Sequence, residues 1–419
     1  MIKKEIFPFL LIILFYILFF ITNQVDWLGG DALWFSKVNS SPLTFAIDRY
    51  ETWSSRFWIE GAVLLSSKNL LIFFILTIVF IFLLFYSISQ LISFNKFISN
   101  LVLVLVFIIL FPMVSLKSAG LIATIVNYVW PSALFAYWLM IDRQRNSEEK
   151  IAIYKIIIAT LSLILSVFNE GLAIVLFLYL IIQVVIEKKE FFNPYRIVCL
   201  LVSLLSILNV LICPGNQKRG ALEMAHWFPT FNHLSFFDKL LIQFNNIASN
   251  LIVSHNFIKI LFLLLLLRAV QKKQILSVIL SAVLIMLSKI SQKLISDPLS
   301  VIVHHSSEKK FNYNITGKLL GPSVIFMIMI VMIVFVIILL DGKSKKSFVA
   351  IGSLAVTFSA GMAISLSPTL LASSDRPLLF LYFVIIFNCA ILADDIIGFN
   401  KSKDLSLIHI SEPTRLRCI

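Results

Sequence analysis

Residues 322–340 read PSVIFMIMIVMIVFVIILL, without one charged side chain. At about 1.5 Å per residue this run makes a helix roughly 28 Å long, the thickness of bilayer hydrocarbon. Working outward, comparable runs cover residues 5–22, 70–92, 97–115, 120–140, 151–167, 171–187, 196–213, 251–268, 274–290, 347–366 and 377–393. Together they predict an all-α polytopic transmembrane bundle of about 12 spans. The composition agrees: 59% of the 419 residues are hydrophobic, 14% are charged, and mean hydropathy is +0.97. Soluble domains carry about 25% charged residues, so a water-soluble enzyme is excluded. A β-barrel would alternate apolar and polar residues over segments of about ten, and this chain does not.

The net charge of +13 is explained by topology. Lys3, Lys4, Lys96, Arg143, Arg145, Lys150, Lys188, Lys189, Arg196, Arg268, Lys272, Lys273, Lys343, Lys345, Lys346, Lys401 and Lys403 fall in short connectors that share one side. The positive-inside rule makes that side cytoplasmic, with the N-terminus on it, and nucleic acid is not an expected partner. The first run lacks a small-residue cleavage site and reads as a retained span. Cys199 and Cys213 sit on one predicted helix, about 21 Å apart, too far for a disulfide. Residues 405–415, LSLIHISEPTR, resemble the in-frame translation of a sequencing adapter. The fold is therefore expected as one transmembrane domain over residues 1–404, with 405–419 set aside as an artefact.

The same topology leaves three long outer loops, 23–69, 214–250 and 291–321, and long loops carry function. The first begins Asp26-Trp27-Leu28-Gly29-Gly30-Asp31, whose glycines allow a tight turn holding the Asp31 carboxylate at the surface. Ser41-Pro42 reads as a helix start. Residues 43–61 then place Arg49, Trp53, Arg56 and Glu60 on one face of a helix lying on the membrane. Its arginines suit a lipid phosphate, whether a specific ligand or ordinary headgroups. Asn127-Tyr128-Val129-Trp130-Pro131 marks a kink or a start near the outer end of the fourth span, or a plain aromatic belt. Glu170, in the short link Phe168-Asn169-Glu170-Gly171, is an acidic group near the hydrocarbon edge. Pro214-Gly215-Asn216 reads as a turn that brings Arg219 toward an anion. Arg376 caps the last span, with Asp375 beside it as the nearest partner. No histidine pair has metal spacing, and no nucleotide-binding or hydrolase motif occurs. The charged candidates all fall at outer helix ends, which suits chemistry on a lipid-linked substrate.

These motifs, in order, resemble a bacterial family of uncharacterised polytopic membrane proteins placed in the GT-C glycosyltransferase superfamily. The resemblance rests on the acidic residue after the first span, W-x-x-R at Trp53 and Arg56, and N-Y-x-W-P from Asn127 to Pro131. N-E at Asn169 and Glu170, P-G-N-x-x-R from Pro214 to Arg219, and the end at Ser373 and Arg376 complete it. It covers the chain from the first span to about residue 390 and implies a multi-pass protein of the bacterial inner membrane. The implied partners are a polyprenyl-phosphate-linked sugar donor, a glycan or lipid acceptor of the cell envelope, and membrane lipids. By the resemblance, Asp31 is the base and Glu170 a second acid or sugar contact. Arg56, Arg219 and Arg376, with Asn127, Tyr128 and Asn216, hold the donor and its phosphate. No cofactor is fixed; a divalent cation is allowed, although Gly30 stands where relatives often carry a second acid, and one carboxylate is a poor divalent site. The alternatives are a polymerase of lipid-linked saccharides and a transporter or flippase. A transporter predicts broken helices with polar residues near mid-membrane, whereas this sequence keeps its polar residues at span ends.

Overall fold

The computed structural model describes residues 7–22, 29–91, 97–110, 113–116, 120–146, 151–255, 257–306, 317–373 and 375–410. Asp26, Trp27, Leu28, Ser374 and residues 411–419 of the adapter-like tail lie outside these. The described residues are 88% helical, and no strand occurs among them. Among the described residues eight helices are long and apolar enough to cross a membrane: Leu70–Leu91, Leu121–Arg145, Glu170–Glu187, Pro194–Ile212, Ile275–His304, Leu320–Asp341, Lys345–Leu366 and Arg376–Gly398. Three shorter apolar helices, Pro8–Ile17, Phe97–Leu110 and Ile153–Ser166, and one bent pair occupy the remaining apolar runs.

Burial sorts these helices into centre and rim. Within an 18-residue stretch of each helix, 83% of the residues are buried in Leu121–Arg145 and 61% in Arg376–Gly398, against 28–33% in the other six. The rim helices turn apolar side chains outward. On Leu70–Leu91 the exposed residues Leu71, Ile75 and Val79 recur every four positions, a stripe that water would not tolerate and lipid tails would. Helix ends follow ordinary rules. Gly342, at φ 63°, stops Leu320–Asp341, and two residues on the Ser344 side chain caps the next helix by accepting from the Ser347 amide.

Connectors assigned to one side by charge do meet. Lys272 pairs with Asp341 at 2.8 Å and Lys346 with Asp395 at 3.0 Å, while Arg145 donates to Asn193 and lies over the Tyr195 ring. The expected loops, however, are not loops. Residues 31–68 hold three helices, Asp31–Lys37, Pro42–Thr52 and Phe57–Lys68; Pro214–Trp227 and Phe236–Ser249 fill the second segment, and Ile275–His305 runs on through Pro298 into the third.

Two further expectations change. The surface helix over residues 43–61 is a helix hairpin, broken at Trp53–Arg56, and Arg49 meets Glu60 across it at 3.1 Å rather than along one face. The chain also contains a broken helix: Phe236–Ser254 and Phe257–Gln271 are bent 71° apart. Its first half carries the buried side chains of Gln243, Asn245 and Asn246, which donate to the Gly361, Leu319 and Leu370 carbonyls near neighbouring helix ends.

Candidate functional site

The site grows from one proline. Pro131 has no amide hydrogen, and its ring would collide with the carbonyl of residue 127 in a regular helix. The helix widens into a π-turn over Ile125–Val129, where the Trp130 amide reaches back to Ile125. The Asn127 carbonyl, denied its usual partner, accepts from Asn169 Nδ2 at 2.8 Å. Asn169 also caps the next span, its Oδ1 accepting from the Gly171 and Leu172 amides. Together these bonds fix Asn127 and Glu170 side by side. The aromatic-belt alternative falls: Tyr128 and Trp130 are buried, the first against Phe380 and the second stacked on Phe80, with its Nε1 donating to Thr77.

Into this corner the broken hairpin delivers Arg56. Its Nε and Nη2 donate to Glu170 Oε2 at 2.7 and 2.5 Å, and Nη1 donates to Asn127 Oδ1 at 3.0 Å. Burial works against the Arg56 charge, but the Glu170 carboxylate outweighs it and holds the guanidinium above the ordinary arginine pKa. Arg219 approaches the other Glu170 oxygen at 3.6 Å, and Ser55 Oγ reaches that oxygen at 3.5 Å. Ser55 is itself gripped. Its amide donates to Asn216 Oδ1, its carbonyl accepts from Asn209 Nδ2, and its hydroxyl accepts from Asn216 Nδ2.

Asn216 and Arg219 come from a helix, not from the turn read in Pro214-Gly215-Asn216. Pro214 is the first residue of Pro214–Trp227, where a missing amide costs nothing. Gly215 lets that helix seat in the hairpin break. A Cβ there would lie 2.4 Å from the Trp53 amide nitrogen and 2.7 Å from the Tyr50 carbonyl oxygen. Gly215→Val is therefore expected to destabilise the fold by about 1–3 kcal/mol and to shift Arg219 relative to Glu170. Thermal unfolding in detergent checks the first effect, and an unshifted midpoint would remove this close approach from the account.

Five of the singled-out residues thus come together: Arg56, Asn127, Glu170, Asn216 and Arg219. Tyr128 lies in the same π-turn. Two do not join. Asp31 is exposed as the first residue of Asp31–Lys37 and has no hydrogen bond or ion pair among the described residues. The Gly29-Gly30 turn before it packs on Gly120, whose φ is +90°. Arg376 donates from Nε to the Ser373 carbonyl at 3.1 Å. Asp375 turns away from Arg376 and bonds His255 at 2.7 Å, because its carboxylate faces the break before Phe257 rather than the start of its own helix.

Beside the cluster opens a cleft of about 310 Å³ lined by Ile47, Tyr50, Glu51, Phe57, Phe168 and Asn209. Phe57 follows Arg56, Phe168 precedes Asn169, and Asn209 holds Ser55, so cleft and cluster share a wall. Two guanidinium groups against one carboxylate leave one positive charge for an anion. Among the described residues no three His, Cys, Asp or Glu side chains gather to hold a metal, so the divalent cation that the resemblance allows finds no donor set there.

Sequence reasoning missed two charged groups. One is the His255–Asp375 pair. The other is Asp142 with Arg196, both wholly buried at the opposite end of the bundle. A lone histidine after an apolar run and an aspartate just past the end of another were the available signals.

Fold and site define an all-α polytopic membrane protein with a cationic polar cluster beside an apolar cleft at one end of its bundle. Comparison of the chain with protein-family models, curated proteins and solved structures finds no match to any of them.

Proposed function

We propose that the protein is a membrane glycosyltransferase of GT-C type, moving a sugar from a polyprenyl-phosphate-linked donor to a cell-envelope glycan or lipid. In this reading the chain spans the bacterial inner membrane about 12 times, its N-terminus is cytoplasmic, and the cluster faces outward. One observation carries the reading: a cluster of two guanidinium groups around one carboxylate, built from four distant segments, shares a wall with a mostly apolar cleft that Glu51 also lines. A phosphate esterified to a long isoprenoid needs both parts, a cation for its headgroup and an apolar path for its chain. Arg219, held loosely at 3.6 Å, is the group free to turn to the phosphate, with Arg56 behind it. Their charge would stabilise the phosphate as it leaves the sugar. Asp31 stands outside the cluster, which accounts for the donor end of the reaction alone.

The test is binding of undecaprenyl phosphate to the full chain in nanodiscs. Arg219→Ala is expected to raise Kd about 10- to 100-fold, the loss of one charge-assisted contact. Equal Kd values for the altered and unaltered chains would sink the reading. The broken pair Phe236–Ser254 and Phe257–Gln271, with its buried amides, favours a flippase for the same lipid as the second reading. Transbilayer movement of a labelled polyprenyl phosphate without sugar transfer would establish that reading.

A further inference from the structure

A second polar group has no part in the cluster. His255 stands at the break between Phe236–Ser254 and Phe257–Gln271, and Asp375 immediately precedes the last span. His255 Nε2 lies 2.7 Å from Asp375 Oδ2, the same oxygen that accepts from Ser115 Oγ, and 3.4 Å from Ser115 Oγ itself. Both partners sit on one ring nitrogen. Ser115 is therefore not an activated nucleophile, which needs serine and carboxylate on opposite nitrogens. The arrangement suits a base. The carboxylate makes Nε2 the protonated nitrogen, which leaves the Nδ1 lone pair to accept. Nδ1 has no partner among the described residues, and the side chain keeps 11% of its surface exposed.

Two more observations bear on a ligand there. The Tyr382 hydroxyl is buried without a hydrogen-bond partner, and its ring lies 5.1 Å from the imidazole, so an unfilled donor adjoins the pair. Asp375 is also close to the cluster along the chain. Five residues on, Phe380 rests on Gly171 and against Tyr128, in the turn that holds Glu170. Helical rise puts the pair roughly 8 Å from that level. Burial raises the Asp375 pKa, but the bonds from His255 and Ser115 win and hold it below the ordinary carboxylate value, so it stays an anion.

We propose that His255 is the proton acceptor of this protein's transfer reaction and Asp375 its positioning residue. The proposal rests on the transfer reading above. The acceptor hydroxyl oxygen forms the new bond to the sugar's anomeric carbon, and the bond from that carbon to the phosphate oxygen breaks, its electron pair leaving with the polyprenyl phosphate. The hydroxyl proton passes to His255 Nδ1, and Asp375 balances the imidazolium until the proton goes to water. Tyr382 is the other titratable group facing the ring, and Phe257 closes its remaining side.

Three measurements on the full chain in nanodiscs test this. Undecaprenyl phosphate binding comes first: if the unaltered chain binds none, the transfer reading fails, and this proposal with it. The second is carbethoxylation of His255 by diethyl pyrocarbonate, with the other five histidines replaced. A base must react readily, and an inert His255 in a carrier-binding protein overturns the proposal alone. The third is sugar transfer from undecaprenyl-phosphate-linked hexoses and pentoses. His255→Gln is expected to slow it about 10²- to 10⁴-fold with carrier Kd unchanged, and Asp375→Asn to slow it less while altering the pH profile. Full transfer by His255→Gln, or its loss in Asp31→Asn alone, overturns the assignment.

Discussion

Replacing Arg56 by methionine is expected to cost stability and carrier binding together, and a second replacement should separate them. Arg56 and Glu170 keep only 19% and 20% of their side-chain surfaces exposed and meet at 2.5 Å. Removing the guanidinium strands the carboxylate with Arg219 at 3.6 Å and Ser55 at 3.5 Å. Breaking such a pair costs about 3 kcal/mol, mainly as the penalty on the charge left behind. Removing both charges, in Arg56→Met with Glu170→Met, should restore most of that loss, since no stranded carboxylate remains. Binding of undecaprenyl phosphate should return only in part, because Arg219 remains but the second guanidinium behind it is gone. Thermal midpoints and Kd values for the two single variants and the double variant decide the matter. A double variant that binds like the unaltered chain would make Arg56 and Glu170 a structural clamp and no more.

The cluster was largely legible in the sequence, and the reason is local. A proline inside an apolar run must free a carbonyl, and an Asn-Glu pair at a span start must cap a helix, so Asn127 and Glu170 announce themselves. The hairpin break was not legible. Trp53-Ser54-Ser55-Arg56 contains neither glycine nor proline, and helical spacing runs through it unbroken. Tertiary bonds open it: Asn216 and Asn209 take the Ser55 amide and carbonyl, and Gly215 seats against Trp53 and Ser54. These partners lie over 150 positions away, as their sequence separations of 161 and 154 show, and no local pattern encodes them. That break is also what turns Arg56 away from Arg49 and toward Glu170. Asp31 failed to join for the opposite reason, since its turn is satisfied locally by glycines and its carboxylate is left in the open. The long connectors were misread because their helices are short and mixed in polarity, held by caps and packing rather than by an apolar stripe.

At the far end of the bundle the expected effects are as large and purely structural. Arg196 Nη1 meets Asp142 Oδ1 at 2.9 Å, with 1% and 0% of their side-chain surfaces exposed, and Nη2 meets Glu187 at 3.2 Å. The Tyr179 hydroxyl donates to the second Asp142 oxygen at 2.8 Å. Three neighbouring spans, Leu121–Arg145, Glu170–Glu187 and Pro194–Ile212, are tied by this group, and those same spans carry Asn127, Glu170 and Asn209 at their other ends. Arg196→Met alone should destabilise the chain by about 3–5 kcal/mol, because Asp142 would then be a buried and unpaired charge. Arg196→Met with Asp142→Leu should lose much less, since two apolar side chains cost nothing to bury among spans. Denaturant unfolding in mixed micelles gives the order. If the double variant is the least stable of the three, the pair is a net attraction rather than a mutual neutralisation. If the order is as expected and the double variant still binds carrier, the tie is not needed to hold the cluster at the other ends of the three spans in place.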